Sequence, residues 1–374
     1  MKILVFTYSL AGGGAERVAA NMANHWNEKG WRVTVVTISG ANTDFYRLNP
    51  SVNRISLNLD QESSSPLVGL YRNLVRVFSL RNIIKQERPD IALSLMWSCN
   101  VLLSLASSGI AGLTTIGSEH THPPKANIGI LWGGIRKLLY GRLSAVTALT
   151  NQTAIWIKEN TSAKRVAVIP NAIKWPMPKA EPILSPAERG FRSGDKIIVA
   201  VGRLVKLKQM NALIDAFSMV CSDYPDWRLA ILGEGPERTA LENQISSEGL
   251  GDRIALVGMV GNVGEWYELA DLCVMTSKYE GFGNTLIEAL SYGVPVLSFD
   301  CDTGPREIIR DGIDGYLVPP DDVGLLAEKL GEMMGDADHR SQLSERAREA
   351  RYRFSLDAIS SQWEALFSEC NRNR

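Results

Sequence analysis

The chain is poor in anything that cysteine could build. Its five cysteines, Cys99, Cys221, Cys273, Cys301 and Cys370, are odd in number, far apart and without a C-x-x-C pair, which argues against a disulfide framework or a zinc site and leaves packing as their role. No apolar run reaches the ~18 residues that a bilayer-crossing helix needs, so the chain reads as soluble or peripheral. The phosphate-cradling pattern G-x-x-x-x-G-K-[ST] is missing, which excludes a P-loop hydrolase. So is G-x-G-x-x-G, and the second apolar run, "RVTVVTISGAN", ends without the acidic residue that would hold a ribose; a dinucleotide oxidoreductase is a poor fit. Low-complexity segments and repeats of ~20–50 residues are lacking too.

What is present fits a globular enzyme. The 374 residues suffice for roughly two domains of ~150 residues. Hydrophobic content of 45% and charged content of 22% are ordinary. The opening "MKILVFTYSLAGGG" reads as a first buried strand and not as a signal peptide, giving a cytoplasmic expectation. A net charge of −1 hides an asymmetry: residues 1–180 hold 20 Lys+Arg against 9 Asp+Glu, or +11, and the remainder 20 against 32, or −12. A basic half implies a polyanionic partner, whether nucleic acid, an anionic membrane or a phosphorylated substrate.

Short apolar runs alternate with helix-length segments. "KILVFTY", "RVTVVTI", "DIALSLM", "TTIGSE", "AVTALT" and "RVAVIP" read as buried strands, with residues 16–29 and 70–87 as helices. Residues 171–195 hold four prolines and little periodicity, and read as a linker. The pattern then restarts with "KIIVAVGRL", "WRLAILGEG", "RIALVGMV", "LCVMTS", "PVLSF" and "GYLVP". The fold class is α/β, two doubly wound Rossmann-like domains facing a cleft. Expected boundaries are residues 1–175, a linker at 176–195, a second domain at 196–350, and a C-terminal helix at 351–374 packing back toward the first domain. In such sheets ligands collect at the carboxyl ends of the strands, so the loops after these runs are the place to look.

Four loops stand out. Gly12, Gly13 and Gly14 precede a helix, whose N–H groups suit a phosphate or a sugar hydroxyl. Arg203 and Lys208 follow the first strand of the second half, a planar fork and a mobile ammonium suited to a diphosphate. "LGEGPE" (232–237) and "VGMVGNVGEWY" (257–267) end the next two strands with glycines that let a flat base approach backbone. Finally, "YEGFGNTLIEALSYGVPVLSFD" places Glu280 and Glu288 on either side of Gly281-Phe282-Gly283.

The ordered series "GGGAER", "SEHTH" (118–122), "VIPNAI" (168–173), "GRLVKLK" (202–208), "LGEGP" (232–236), E-GFGNTLI-E (280–288) and "GPREIIRDGIDGYLVP" (304–319) resembles the glycosyltransferase family 4 enzymes, retaining transferases of the GT-B fold that use nucleotide sugars. The resemblance covers nearly the whole chain. It implies that Glu288 bonds the ribose diol and that Glu280 accepts from donor-sugar hydroxyls. Gly283, Asn284 and Thr285 would offer backbone amides to the phosphates, with Arg203 and Lys208 completing an anion clamp. Gly13, Gly14, Gly233, Val257, Gly281 and Phe282 complete the implied donor site. His120 would face the donor sugar, and Arg17, Glu119 and His120 the acceptor. The implied catalytic set is His120, Glu280, Arg203 and Lys208. No cofactor is implied and no metal: His120 and His122 lack a third ligand, and Asp300-Cys301-Asp302 falls late in a chain of the wrong pattern for a D-x-D transferase. A glycosidase would need two carboxyls flanking one bond and no phosphate clamp.

For the acceptor, residues 127–143 carry Ile128, Leu131, Trp132, Ile135, Leu138 and Leu139 on one helical arc beside Arg136 and Lys137, with Arg72, Arg76, Arg81, Lys85 and Arg88 adding charge nearby in sequence. An amphipathic basic helix with tryptophan suits an anionic membrane surface. Relatives with this N-terminal pattern and "TGPREII" are similar to bacterial enzymes that extend polyprenyl-diphosphate-linked oligosaccharides. The resulting expectation is transfer of a hexose or N-acetylhexosamine, from a UDP-linked donor, to a lipid-linked or surface-polysaccharide precursor glycan. The protein would be cytoplasmic, peripheral on the inner face of the cell membrane, and without a nucleic-acid partner. A nucleotide-sugar 2-epimerase of the same fold and a transferase using a soluble acceptor are the alternatives.

Overall fold

A computed structural model of the chain describes residues 1–61, 65–125 and 128–372. The chain forms two units: Met1–Ala172 with Leu356–Arg374, and Ile173–Ser355. Each is built on one parallel sheet.

In the first unit the strands are β1 (Lys2–Thr7), β2 (Arg32–Thr37), β3 (Asn53–Ser56), β4 (Ile91–Leu95), β5 (Thr114–Glu119), β6 (Ala145–Ala148) and β7 (Val166–Val168). Their order is β3-β2-β1-β4-β5-β6-β7. The connecting helices are α1 (Gly14–Glu28), α2 (Pro66–Glu87), α3 (Trp97–Ala106), α4 (Gly129–Leu139) and α5 (Asn151–Asn160). Near-continuous Val, Ile and Leu in β1 and β4 follow from burial on both faces. On one face α1 and the C-terminal helix Leu356–Arg372 pack over Ile3, Val5, Val33 and Leu93. Trp26 stacks on Trp31, meets Trp363 and Phe367, and donates its indole N–H to Ser360 Oγ at 3.0 Å. The other face is sealed by Leu80, Ile84, Leu103, Tyr140 and Ile157 against Leu4, Phe6 and Val146.

The second unit holds β8 (Lys196–Val201), β9 (Trp227–Leu232), β10 (Ile254–Gly258), β11 (Leu272–Met275), β12 (Val296–Phe299) and β13 (Gly315–Val318), in the order β10-β9-β8-β11-β12-β13. Helices α6 (Met210–Val220), α7 (Arg238–Ser247), α8 (Val263–Leu269) and α9 (Asn284–Tyr292) connect the first five strands, and further helices follow β12 and β13.

Three sequence expectations change. β3 escaped notice because "NRIS" is short, polar and at the sheet edge, where one side needs no apolar cover. The proline-rich stretch read as a linker is packed into the second unit: Ala180 N–H bonds Gly261 O at 2.9 Å, Gly261 N–H bonds Pro182 O at 2.7 Å, and the Trp266 indole bonds Leu184 O at 2.9 Å. Counted by unit, the charges become 20 Lys+Arg against 12 Asp+Glu in the first, +8, and −9 in the second. Lys174 and Lys179 pass to the second unit, and the C-terminal segment adds three carboxylates and two arginines to the first.

Candidate active site

In each sheet the strand order reverses once, and the two strands at the reversal send their following loops to opposite faces, opening a crevice at the carboxyl edge. In the second unit that point lies between β8 and β11. The loop after β8 carries Arg203 and Lys208; the loop after β11 carries Glu280. Lys208 Nζ pairs with Glu280 Oε1 across the reversal. Two segments 72 residues apart in sequence thus meet where the topology opens.

Backbone bonds hold the pair in place. Thr276 donates its hydroxyl to Lys208 O at 2.9 Å and to Gln209 O at 3.0 Å, Lys278 N–H bonds Leu207 O at 2.9 Å, and Thr303 Oγ1 donates to Glu280 O. Sequence reasoning missed Thr276 and Thr303; single threonines in loops give no periodic signal, and only their partners reveal them. Arg203 is exposed, with its guanidinium bonded to no carboxylate among the described residues.

Glycines set the floor. Gly233, at φ +142°, lies so close to the β8 loop that a Cβ would come within 1.9 Å of Gly202 O. A Cβ on Gly304, at φ +102°, would fall 2.0 Å from Phe282 O. α9 starts at Gly283, at φ +106°, with no side chain capping it, which leaves the Asn284 and Thr285 end of the helix facing the Glu280 loop. Phe282 is buried and meets Phe354 edge-on at 6.0 Å, so it anchors the loop. Val257 is buried at the end of β10. Glu288 is buried in α9, accepting from Tyr267 Oη at 3.4 Å. Asp300 is held by Arg306 at 2.8 and 2.6 Å. No group of three or more His, Cys, Asp or Glu able to hold a metal ion occurs among the described residues.

The first unit presents a different edge. Its reversal lies between β1 and β4, and Gly13, Gly14 and Arg17 follow β1. Gly13 caps α1 without a side-chain bond, and the Glu16 carboxylate folds back against it, so near that a Gly13 Cβ would come within 2.1 Å. A carboxylate at a helix start is electrostatically favoured. Glu16 therefore joins the candidate set, having been hidden inside the "GGGAER" motif.

His120 follows β5 and is half-buried, Nε2 at 3.1 Å from Ser118 Oγ, beside a small apolar cavity lined by Val5, Leu93, Leu95 and Leu149. Loss of hydration lowers its pKa to about 4, so it is a neutral imidazole at physiological pH. Glu119 points the other way. Its side chain is fully buried, accepts from Tyr140 Oη and Thr121 Oγ1, and lies 3.8 Å from Arg136. Burial raises the pKa of Glu119 against these partners, and burial likewise raises that of Tyr140. Glu119 thus braces the His120 loop from inside.

Arg136 corrects the membrane expectation in part. Its guanidinium is buried, 4.7 Å over the Trp156 ring, and is not at the surface. Within the arc Leu139 is buried, Ile128, Trp132 and Ile135 are half-buried, and only Leu131 and Leu138 are exposed, joined by Ile130. Asn127, where that helix was expected to begin, lies outside the described residues.

Comparison with known proteins bears on these sites. Residues 12–174 match the family described as Glycosyltransferase Family 4, and residues 184–350 match Glycosyl transferases group 1. The chain is a glycosyltransferase of this family. It is 35% identical over 329 residues to the exopolysaccharide phosphotransferase SCO2592 of Streptomyces coelicolor, matching 83% of this chain but only 33% of that one. The chain thus spans about a third of that relative. It is 27% identical over 377 residues, 99% of each chain, to the GalNAc-alpha-(1->4)-GalNAc-alpha-(1->3)-diNAcBac-PP-undecaprenol alpha-1,4-N-acetyl-D-galactosaminyltransferase of Campylobacter jejuni. The Anabaena Alr3699/HepE structure, solved with UDP, superposes with a TM-score of 0.79 at 21% identity, covering 99% of this chain and 100% of that one, and shows the same GT-B fold.

Proposed function

We propose that this glycosyltransferase moves a hexose or N-acetylhexosamine, with retention, from a UDP-sugar to a lipid-diphosphate-linked glycan at the membrane. The observation that carries the reading is the Lys208–Glu280 pair at the β8/β11 reversal, beside unpaired Arg203 and the uncapped start of α9. A diphosphate entering there would draw Lys208 from Glu280 and join it to Arg203 and the α9 amides. Glu280, released, would accept from hydroxyls of the sugar. Glu288 would accept from the ribose and Gly233 and Val257 would border the base. As the glycosidic bond breaks, a donor phosphate oxygen would take the proton of the incoming hydroxyl, and the cations would hold the charge left on the departing diphosphate. In the first unit, neutral His120 would donate to a sugar hydroxyl, with Arg17 and the Gly13-Gly14 turn as further contacts. The undecaprenol-linked substrate named for the Campylobacter relative supports the acceptor class.

The test is calorimetric binding of UDP, GDP and ADP to wild type, followed by transfer assays with the matching sugars on polyprenyl-diphosphate-linked and soluble glycans. UDP binding with preference for the lipid-linked acceptor is expected. Binding of GDP alone, or equal use of both acceptors, would replace the donor or the acceptor in this reading.

A further inference from the structure

The longest exposed apolar stripe among the described residues is not on the helix the sequence pointed to. On α2, Leu67, Leu70, Tyr71, Leu74 and Phe78 are 48–80% exposed. Their spacing of i, i+3, i+4, i+7 and i+11 puts them on one stripe, about 16 Å long at 1.5 Å per residue. Leu80 and Ile84 of the same helix are buried on the sheet, so α2 has a committed inner face and a second apolar face. Ile130, Leu131 and Leu138 extend the exposed apolar surface on α4, and α3 ties in through the Trp97–Trp132 ring contact at 5.8 Å. Because the strands are parallel, α2, α3 and α4 all begin at the carboxyl edge of the sheet, the edge that bears His120 and Gly13.

Charge on this unit is divided by sheet face. Outside the buried Arg136, which lies beside Glu119, α2, α3 and α4 contain Arg72, Arg76, Arg81, Lys85 and Lys137 against one carboxylate, Glu87. Arg76 and Arg81 donate to backbone carbonyls, which leaves their charge uncancelled. On the opposite face, α1 and the C-terminal helix carry five carboxylates, Glu16, Glu28, Asp357, Glu364 and Glu369, against Arg17 and Arg372. An apolar stripe set in cationic surroundings complements an anionic bilayer; against a second copy of itself, the same face would meet like charge.

We infer that α2 is the principal membrane anchor of this protein, and that the α2–α3–α4 face lies on an anionic bilayer with the stripe of Leu67, Leu70, Tyr71, Leu74 and Phe78 in the headgroup region. The inference rests on the proposed lipid-linked acceptor and gives that reading its orientation: the carboxyl edge bearing His120 is brought toward the lipid surface.

The experiment is cosedimentation of the full chain with vesicles of three parts phosphatidylcholine to one part phosphatidylglycerol, and of phosphatidylcholine alone, with sedimentation velocity in parallel. Wild type should bind the anionic vesicles, with binding reduced by salt. The triple variant Leu70→Glu, Leu74→Glu, Phe78→Glu should lower the bound-to-free ratio by about tenfold or more, and Leu131→Glu by less. The thermal transition should change little, since every substituted side chain is exposed. A triple variant that binds like wild type overturns the anchor, while leaving a lipid-linked acceptor standing if Leu131→Glu alone abolishes binding. Wild type that ignores anionic vesicles overturns it as well, and a dimer dissolved by the triple variant would then make the face an interface between copies. Vesicle binding through α2 with no preference for lipid-linked over soluble glycan would keep the anchor and reject the acceptor.

Discussion

The carboxyl edges of the two sheets have the same topology and opposite chemistry. In the second unit the reversal between β8 and β11 is occupied by opposite charges that satisfy each other, with an extra cation, Arg203, beside them. In the first, the edge carries a neutral histidine and a glycine turn with Glu16 folded against it and Arg17 following, while the strong charges Glu119 and Arg136 are drawn beneath the surface. The lesson is that the fold supplies the crevice and the side chains decide what may fill it. Paired ions that can exchange partners suit a charged donor, whereas an uncharged donor group over an apolar cavity suits hydroxyls.

The largest test of that contrast is Lys208→Ala. It removes a charge-assisted contact to diphosphate and leaves Glu280 without its counter-ion, at about 1.5–3 kcal/mol, or roughly ten- to 150-fold in kcat/KM. Steady-state kinetics should show that loss, with Arg203→Ala comparable; wild-type kinetics in both would remove the donor site from the β8/β11 reversal. Next is Gly233→Ala. Its Cβ would meet Gly202 O at a positive φ, so a stability loss of about 1–3 kcal/mol is expected in urea titration, together with weaker nucleotide binding.

In the first unit, Tyr140→Phe takes a hydroxyl from the buried Glu119 carboxylate. About 1–3 kcal/mol of stability should go, visible as a lowered Tm, with nucleotide binding by the second unit unchanged. The smallest effect is a null. His120 should titrate near 4 by NMR and give activity no step near the ordinary imidazole value of about 6.5. Because its folded pKa lies below the unfolded one, the unfolded chain takes up the proton first. Its contribution to stability is therefore intact above about 6.5 and declines as the pH falls toward about 4. A titration midpoint at or above about 6.5 would put a cation after β5 and blur the contrast.

Much of this was legible in the residues. Most of the strands, such as KILVFT, IALSL, KIIVAV and LCVM, are nearly continuous apolar runs, since a parallel sheet covered on both sides leaves no polar face to interrupt them. β3, with only Ile55 as a large apolar residue among NRIS, lacks that signature and lies at a sheet edge. Arg203, Lys208, Glu280 and Glu288 were found because they fall in loops after strands or at the following helix and form an ordered series of motifs. The sequence by itself settled the fold class, the number of sheets and which loops carry chemistry, since each follows from local periodicity and spacing. Pairing and direction came only from the tertiary structure. It decided that Lys208 meets Glu280, that Thr276 and Thr303 fasten them and that Glu119 and Arg136 turn inward. It also decided that α2, and not α4, exposes the longer apolar stripe. A helix pattern shows that apolar positions share a face, but whether that face is covered depends on neighbours brought in from distant parts of the chain.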